Sequence, residues 1–310
     1  MTPILVFYSQ FDSFDEWRDL LAPLLPGVHI CQEQDVVDPD DVRYALAWKP
    51  PQGFFARYRS LELLVNLGAG VDSLVGRDDL PDIPITRVSD PDMGRMMASY
   101  VLFAVLRYAR DIPALERAQR ERRWHYLHPR LPESIRVGVL GLGELGTYAA
   151  LELARQGLDV RGWSRSPKSL DGVKCVNGME QLDSFIASSD ILVVMLPLTP
   201  QTRGLLDARR LGLLPNGASF INVSRGAVVD QHALTAALAS GRIAEATLDV
   251  FDREPLPPED PLWGLDNVLI TPHLASVAIP ASAAAQIADN IQRLTRGEAV
   301  LHRVDPARGY

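Results

Sequence analysis

Short apolar runs alternate with amphipathic stretches along most of this chain. Residues 4–8, 44–48, 63–67 and 85–88 are apolar and of strand length, and residues 14–25 carry helical spacing between the first two. Strands alternating with helices predict a parallel sheet covered on both faces. Residues 93–110 follow, with Met97, Val101, Ala104, Val105 and Tyr108 forming a helical stripe. This stripe lies between two α/β series and so predicts a connecting helix. A second series begins at Ile135, with strand-length runs at 135–140, 160–163, 191–196, 219–223, 246–250 and 268–271. Six such strands match a doubly wound nucleotide-binding sheet. Residues 280–294 return to helical spacing and are expected to cross back to the first series. The expected fold is α/β: two doubly wound parallel-sheet, Rossmann-like domains with a cleft between them. Residues 1–98 with 283–310 make the discontinuous first domain, and 99–282 the second.

Composition narrows the partners more than the fold. The chain has 310 residues, 47% apolar and 23% charged, which suits two globular domains of ordinary size. Its net charge of −8 argues against nucleic acid or an anionic membrane as partner, so any anion must be met by local cations. Cys31 and Cys175 are distant in sequence and read as reduced thiols. No apolar run approaches the ~18 residues of a membrane helix. The start lacks a basic leader and reads as a first strand, so the expected location is cytoplasmic.

Candidate chemistry begins at Gly141-Leu142-Gly143-Glu144-Leu145-Gly146. An apolar run precedes this signature and a helix-like stretch, 147–156, follows it. In that context the six residues form a dinucleotide fingerprint. The first glycine serves a tight turn, the second lets backbone approach a pyrophosphate, and the third packs helix on strand. Phosphate oxygens would meet the N–H groups and positive dipole end of the helix. The next strand is followed by Ser164, Arg165, Ser166 and Lys168, with no acidic residue where one would bind a ribose 2′-OH. A carboxylate there would oppose a 2′-phosphate by about 2 kcal/mol at ~5 Å even in a water-like dielectric. The expectation is NADP(H), with NAD(H) possible.

Further motifs occur in a fixed order: Pro197-Leu198-Thr199-Pro200, Asn222-Val223-Ser224-Arg225-Gly226, Leu248-Asp249-Val250-Phe251 with Glu254-Pro255, and Thr271-Pro272-His273. Together with the glycine signature they resemble the D-isomer-specific 2-hydroxyacid dehydrogenases over nearly the whole chain. Each motif alone is weak; the ordered set is specific. Within that family, Ala47-Trp48-Lys49-Pro50-Pro51 and Asn66-Leu67-Gly68-Ala69-Gly70-Val71-Asp72 look most like the short bacterial glyoxylate/hydroxypyruvate reductases. The resemblance implies reduction of a small 2-keto acid to the D-2-hydroxy acid by hydride transfer.

That reaction needs an anchored carboxylate, a proton for the carbonyl oxygen, and a hydride donor. Arg225 suits the first, because its planar fork bridges carboxylate oxygens. Read alone, it is equally a surface arginine in a turn. His273 suits the second, and Glu254 supports it, because a carboxylate beside an imidazole stabilises the imidazolium. By resemblance, Arg225 binds substrate, His273 is the general acid and Glu254 orients it. Backbone amides at Gly68, Ala69 and Gly70 are expected to hold the other carboxylate oxygen, or else form a plain turn. Trp48 stands where the reductases border the pocket, with a core aromatic as the other reading. Pro197, Leu198, Thr199, Val223, Ser224 and Asp249 stand as cofactor contacts, Asp249 to the carboxamide. The family is typically dimeric, which directs attention to residues 111–130 for a subunit contact. His29, His125, His128, His232 and His302 fit no ligand spacing, and no metal is expected.

Two departures bear on substrate. The family often carries a glutamate where Ser99 stands, and close reductases an arginine where this chain has Ala278-Ile279-Pro280. A more apolar pocket would favour a longer keto acid. Phosphoglycerate dehydrogenase is a rival that the chain's end after the closing helix disfavours. Formate dehydrogenase is disfavoured because Glu254 is acidic. The rival from another class is a nucleotide-sensing corepressor on the same fold, which the triad does not exclude.

Overall fold

A computed structural model describes residues 2–305 as two compact units, 2–93 with 277–305, and 94–276. The first unit holds strands β1 (Ile4–Tyr8), β2 (His29–Gln32), β3 (Val42–Ala47), β4 (Leu63–Asn66) and β5 (Ile85–Arg87). They pair in parallel in the order β2-β1-β3-β4-β5, a doubly wound arrangement. Helix α1 (Phe14–Leu21) starts at Ser13, whose hydroxyl accepts the Glu16 N–H, and buries Trp17 and Leu21. Ala22 keeps helical geometry and donates to Arg18 C=O, and the helix stops there because Pro23 offers no N–H to continue the ladder. Strand β2, absent from the sequence reading, lies at the sheet edge with His29 exposed and Gln32 half-buried, so its apolar signal is short.

Helix α2 (Pro91–Ala109) carries the chain into the second unit, where the predicted stripe is buried. Seven parallel strands follow there: β6 (Arg136–Leu140), β7 (Asp159–Ser164), β8 (Val173–Asn177), β9 (Ile191–Val194), β10 (Ala218–Asn222), β11 (Ile243–Leu248) and β12 (Val268–Ile270). The order is β12-β11-β10-β9-β6-β7-β8. The sequence reading had six. The added β8 is an edge strand with no buried residue, which is why a burial pattern could not reveal it.

Helices α3 (Ile112–Arg120), α4 (Glu144–Arg155), α5 (Leu182–Ala187), α6 (Ala208–Leu211) and α7 (Gln231–Ala239) complete this unit. On one face, α2 and α4 pack Val101, Val105, Ala149 and Leu153 against Val137, Val139 and Val193. On the other, α5 and α7 pack Phe185, Ile186, Leu234 and Leu238 against Leu140, Leu192 and Phe220. Both faces are apolar and covered, as a parallel sheet requires. Helix α8 (Pro280–Thr295) then returns to the first unit, where the Gln286 side chain bonds Ser89 N–H and Arg87 C=O, and Val304 N–H donates to Ile85 C=O.

Candidate active site

Three strands of the second unit end in step. Asn222 of β10 pairs with Leu248 of β11, and Leu248 with Ile270 of β12. Arg225, Glu254 and His273 each follow within a few residues. Neighbouring strands lie about 4.8 Å apart, so the three turns leave one stretch of the carboxyl edge, where open α/β sheets place ligands.

His273 and Glu254 meet at that edge. Imidazole Nδ1 lies 2.8 Å from carboxylate Oε2, and the side chains are 25% and 22% exposed. A carboxylate only accepts, so Nδ1 carries the hydrogen of this pair. Nε2 is then the nitrogen that gives or takes a proton. The other carboxylate oxygen accepts the Phe251 N–H at 3.1 Å, which fixes Glu254 to its own loop. His273 has φ 56, in the left-handed region, and its N–H donates to Asp249 C=O at 2.9 Å.

Asp249 grips this turn from beneath. It is 1% exposed, and its carboxylate accepts Thr271 Oγ1 at 2.6 Å and the Leu274 and Ala275 N–H groups at 2.9 Å each. Tyr100 of α2 places its hydroxyl 2.5 Å from Thr271 Oγ1. Burial pushes the Tyr100 phenol up to about 12, so it stays protonated at any working pH.

The Arg225 turn is tied by Asn222, which is 2% exposed. Its side chain accepts Ser224 N–H and Oγ–H and donates to Arg225 C=O at 3.1 Å. Arg225 is half-buried, and Nη1 donates to Ser224 C=O at 2.7 Å. Gly226 brings this turn against the next one: a Cβ there would lie 1.9 Å from the Phe251 carbonyl carbon and 2.3 Å from Asp252 N. Only glycine permits that approach. Arg225 is thus coupled through backbone packing to the loop that carries Glu254.

The glycine signature forms the turn between β6 and α4, where strand order reverses between β6 and β9. Gly141 has φ 117, and a Cβ there would lie 2.6 Å from Met195 C=O; at Gly146 it would lie 1.9 Å from Gly141 C=O. These two glycines hold turn, helix and neighbouring strand together. At Gly143 a Cβ would meet nothing within 4 Å, and the residue is exposed. Gly143 is the N-cap of α4, and with no side chain of its own it leaves the helix start uncovered at that position. An open second glycine before a helix start fits a pyrophosphate. Gly141 N–H donates to Trp163 C=O at 2.9 Å, which sets Ser164 beside this turn. Ser164 is buried with Oγ bonded to Ser166 C=O, while Arg165, Ser166 and Lys168 are exposed, as are Glu144 and Pro197. Beyond β9, Thr202 Oγ1 donates to Pro197 C=O and accepts Thr199 N–H, so Pro197, Leu198 and Thr199 form a closed loop. Val223 and Ser224 are buried under the Arg225 turn.

Within the first unit Trp48 and Gly68 are in contact. A Cβ on Gly68 would lie 2.4 Å from the indole ring. Asn66, fully buried, donates to Gly68 C=O at 2.7 Å and Gly70 C=O at 3.1 Å. With those carbonyls occupied, the N–H groups of the loop are the backbone groups left for another acceptor. Asn66, Thr202, Thr271 and Tyr100 were assigned no role from sequence, although a polar residue ending an apolar strand was a signal for Asn66 and Asn222.

The opposite, amino edge of the seven-stranded sheet has a depression of about 360 Å³ lined by Tyr108, Arg117, Arg130, Asp190 and Glu245 among others. Its charges neutralise one another: Arg117 with Glu245 at 2.7 Å, Arg130 with Asp111 at 3.1 Å, and Asp190 with Arg136. It holds no proton-transfer pair. Among the described residues no cluster of three or more metal-ligating side chains occurs, and no helix is long and apolar enough to cross a membrane.

A family model described as D-isomer specific 2-hydroxyacid dehydrogenase, NAD binding domain, matches residues 102–275. The chain is 39% identical, over 99% of both proteins, to glyoxylate/hydroxypyruvate reductase A of Yersinia enterocolitica. It is 63% identical, with a TM-score of 0.95 over the full length of both chains, to a D-isomer specific 2-hydroxyacid dehydrogenase of Xanthobacter autotrophicus solved with NADPH and MES. It is 33% identical, with a TM-score of 0.93 over 99% of this chain and 100% of the other, to an NADPH-dependent glyoxylate/hydroxypyruvate reductase of Sinorhizobium meliloti solved with NADP and sulfate.

Proposed function

The chain belongs to the D-isomer-specific 2-hydroxyacid dehydrogenases, and we propose that it is an NADPH-dependent 2-keto acid reductase with glyoxylate and hydroxypyruvate as leading substrates. The observation that carries this reading is the 2.8 Å pair between His273 Nδ1 and Glu254 Oε2 on the edge that also carries the Arg225 turn. In it, the Arg225 guanidinium anchors the substrate carboxylate and polarises the neighbouring carbonyl. His273 delivers the proton on Nε2 to the carbonyl oxygen, and Glu254 stabilises the imidazolium before transfer. A reduced nicotinamide supplies the hydride when bound. Gly143 and the first N–H groups of α4 would receive the pyrophosphate, with Leu145 and Gly146 beneath, and Ser164, Arg165, Ser166 and Lys168 the 2′-phosphate. Pro197–Thr199, Val223 and Ser224 would complete the cofactor surface, with Asp249 acting on it through the turn that its carboxylate holds. For the first unit the proposal concerns its own loop: the Gly68–Gly70 amides as carboxylate donors, with Trp48 bordering them.

The test is initial rates over a panel of 2-keto acids with NADPH and NADH in parallel, with chiral analysis of the product. NADPH oxidation by a small keto acid, giving the D-product, is expected. Absence of turnover with every acid overturns the reading. It extends to a cytoplasmic homodimer, the dimer being supported by the exposed apolar residues Ile112, Trp124, Tyr126 and Leu131 in and next to the 111–130 region. Light scattering at micromolar concentration decides that point.

A further inference from the structure

We propose that Tyr100 is a positioning residue for His273, acting through the hydroxyl of Thr271 and the carboxylate of Asp249; this rests on the reading of His273 as proton donor. Direction in the chain of bonds follows from the chemistry of its ends. Asp249 only accepts, so the single hydroxyl hydrogen of Thr271 goes to Asp249 Oδ1, 2.6 Å away. Tyr100, 2.5 Å from the same Thr271 oxygen, must then be the donor to it. Two hydrogens therefore point one way, from α2 towards the buried carboxylate.

Asp249 also holds residues 273–275. Its carboxylate takes the Leu274 and Ala275 N–H groups, and its own C=O takes that of His273. His273 sits at φ 56, a conformation that a histidine keeps only when its surroundings over-determine it. A carboxylate rotated by loss of its Thr271 partner would release that turn, and with it the imidazole that faces Glu254. Tyr100 is 171 residues from Thr271 in sequence, so no local pattern announces the pair.

The same helix supplies a control. Tyr108 OH lies 2.5 Å from Thr247 Oγ1, a buried bond of the same kind, but within strand β11 and bonded to neither Thr271 nor Asp249. Removing it costs the helix one bond without touching Asp249.

The experiment measures kcat and KM of the full chain with NADPH and its best keto acid for Tyr100→Phe, Thr271→Val, the double variant, Thr271→Ser and Tyr108→Phe. Tyr100→Phe is expected to lower kcat about tenfold, the worth of one buried hydrogen bond, with KM within about twofold. Thr271→Val should lose at least as much, Thr271→Ser should recover most of it, and the double variant should fall no further than Thr271→Val. Tyr108→Phe should stay within about twofold of the parent. An unchanged kcat in Tyr100→Phe overturns the proposal, as does a full second loss when Tyr100→Phe is added to Thr271→Val, or an equal loss in Tyr108→Phe. If the parent reduces no keto acid, the reductase reading has failed, and amide exchange tests the positioning alone. Tyr100→Phe should then speed exchange at Leu274 and Ala275; unchanged protection there overturns it.

Discussion

Gly226→Ala tests how the Arg225 turn is coupled to the Glu254 loop. The new methyl carbon would lie 1.9 Å from the Phe251 carbonyl carbon, 2.3 Å from its oxygen and 2.3 Å from Asp252 N, all of them backbone atoms that no rotamer change can move. Ordinary contact begins near 3.4 Å, so the two turns must separate by about 1.5 Å. Overpacking of this kind costs about 2–3 kcal/mol, or roughly 5–10 °C in the thermal midpoint of a unit this size. Activity should suffer more than stability. Misplacing a reacting group by about 1 Å costs on the order of a hundredfold, and here Arg225 moves relative to Glu254 and the His273 it holds. Gly143→Ala is the counterpart: its methyl carbon meets nothing within 4 Å, so the midpoint should hold while NADPH affinity falls. The assay pairs kcat/KM with thermal unfolding and NADPH titration for both variants. A Gly226→Ala protein within about threefold of the parent in kcat/KM would refute the coupling, whatever its stability.

Arg225→Ala removes a fork that makes two charge-assisted bonds to a carboxylate, so kcat/KM should fall roughly a thousandfold while the NADPH dissociation constant stays within about threefold; equal loss of both would make Arg225 structural. Ser164→Asp places a carboxylate at the end of β7 and should move the NADPH/NADH preference by about 2 kcal/mol, roughly thirtyfold; a ratio that does not move rejects the 2′-phosphate assignment. In the first unit, the Arg77 guanidinium bonded to Asp79 holds that carboxyl below its usual value, with side chains 8% and 7% exposed. A depressed folded value adds stability above the unfolded value of ~3.9, lost as pH falls through the folded one. Asp79→Asn should therefore lower the unfolding free energy from urea titration at pH 6 by about 3 kcal/mol, as for a broken buried pair, and flatten its fall between pH 5 and 2; parallel acid limbs would reject this.

The sheets were legible where strands are buried on both faces. Residues 135–140 and 191–196 contain β6 and β9, whose apolar runs have no polar face to confuse them. Edge strands β2 and β8 were not legible, since His29, Gln32, Lys174 and Asn177 spend part of each strand in solvent. The glycine signature was readable because each of its glycines answers a separate steric demand, two of closeness and one of openness. Helix α4 begins at Glu144 and not near Thr147, since Gly143 itself is the cap. Tyr100 was hidden: neighbours of the helical stripe were read for burial, and its hydroxyl's partner comes from the far end of the unit.

A common device underlies the turns that carry the chemistry. Asn66 ends β4, Asn222 ends β10, and Asp249 follows the last residue of β11; they are 0%, 2% and 1% exposed. A buried polar side chain costs free energy unless bonded, and each of these directs bonds at the backbone of a turn, Asn66 through its amide NH2 group alone. Asn66 takes Gly68 and Gly70, Asn222 takes Ser224 and Arg225, and Asp249 takes Leu274 and Ala275 with Thr271. The strand end is the most rigid point from which a loop departs; Asn66 and Asn222 extend that rigidity two to four residues into their own loops, and Asp249 extends it to the loop after the neighbouring strand. A cationic fork and an imidazole can then stand on irregular backbone and still keep fixed positions relative to the sheet. The same logic explains why the polar residue lies before the reactive one in sequence: the anchor must sit at or next to the strand end, and the group that meets a ligand must lie beyond it.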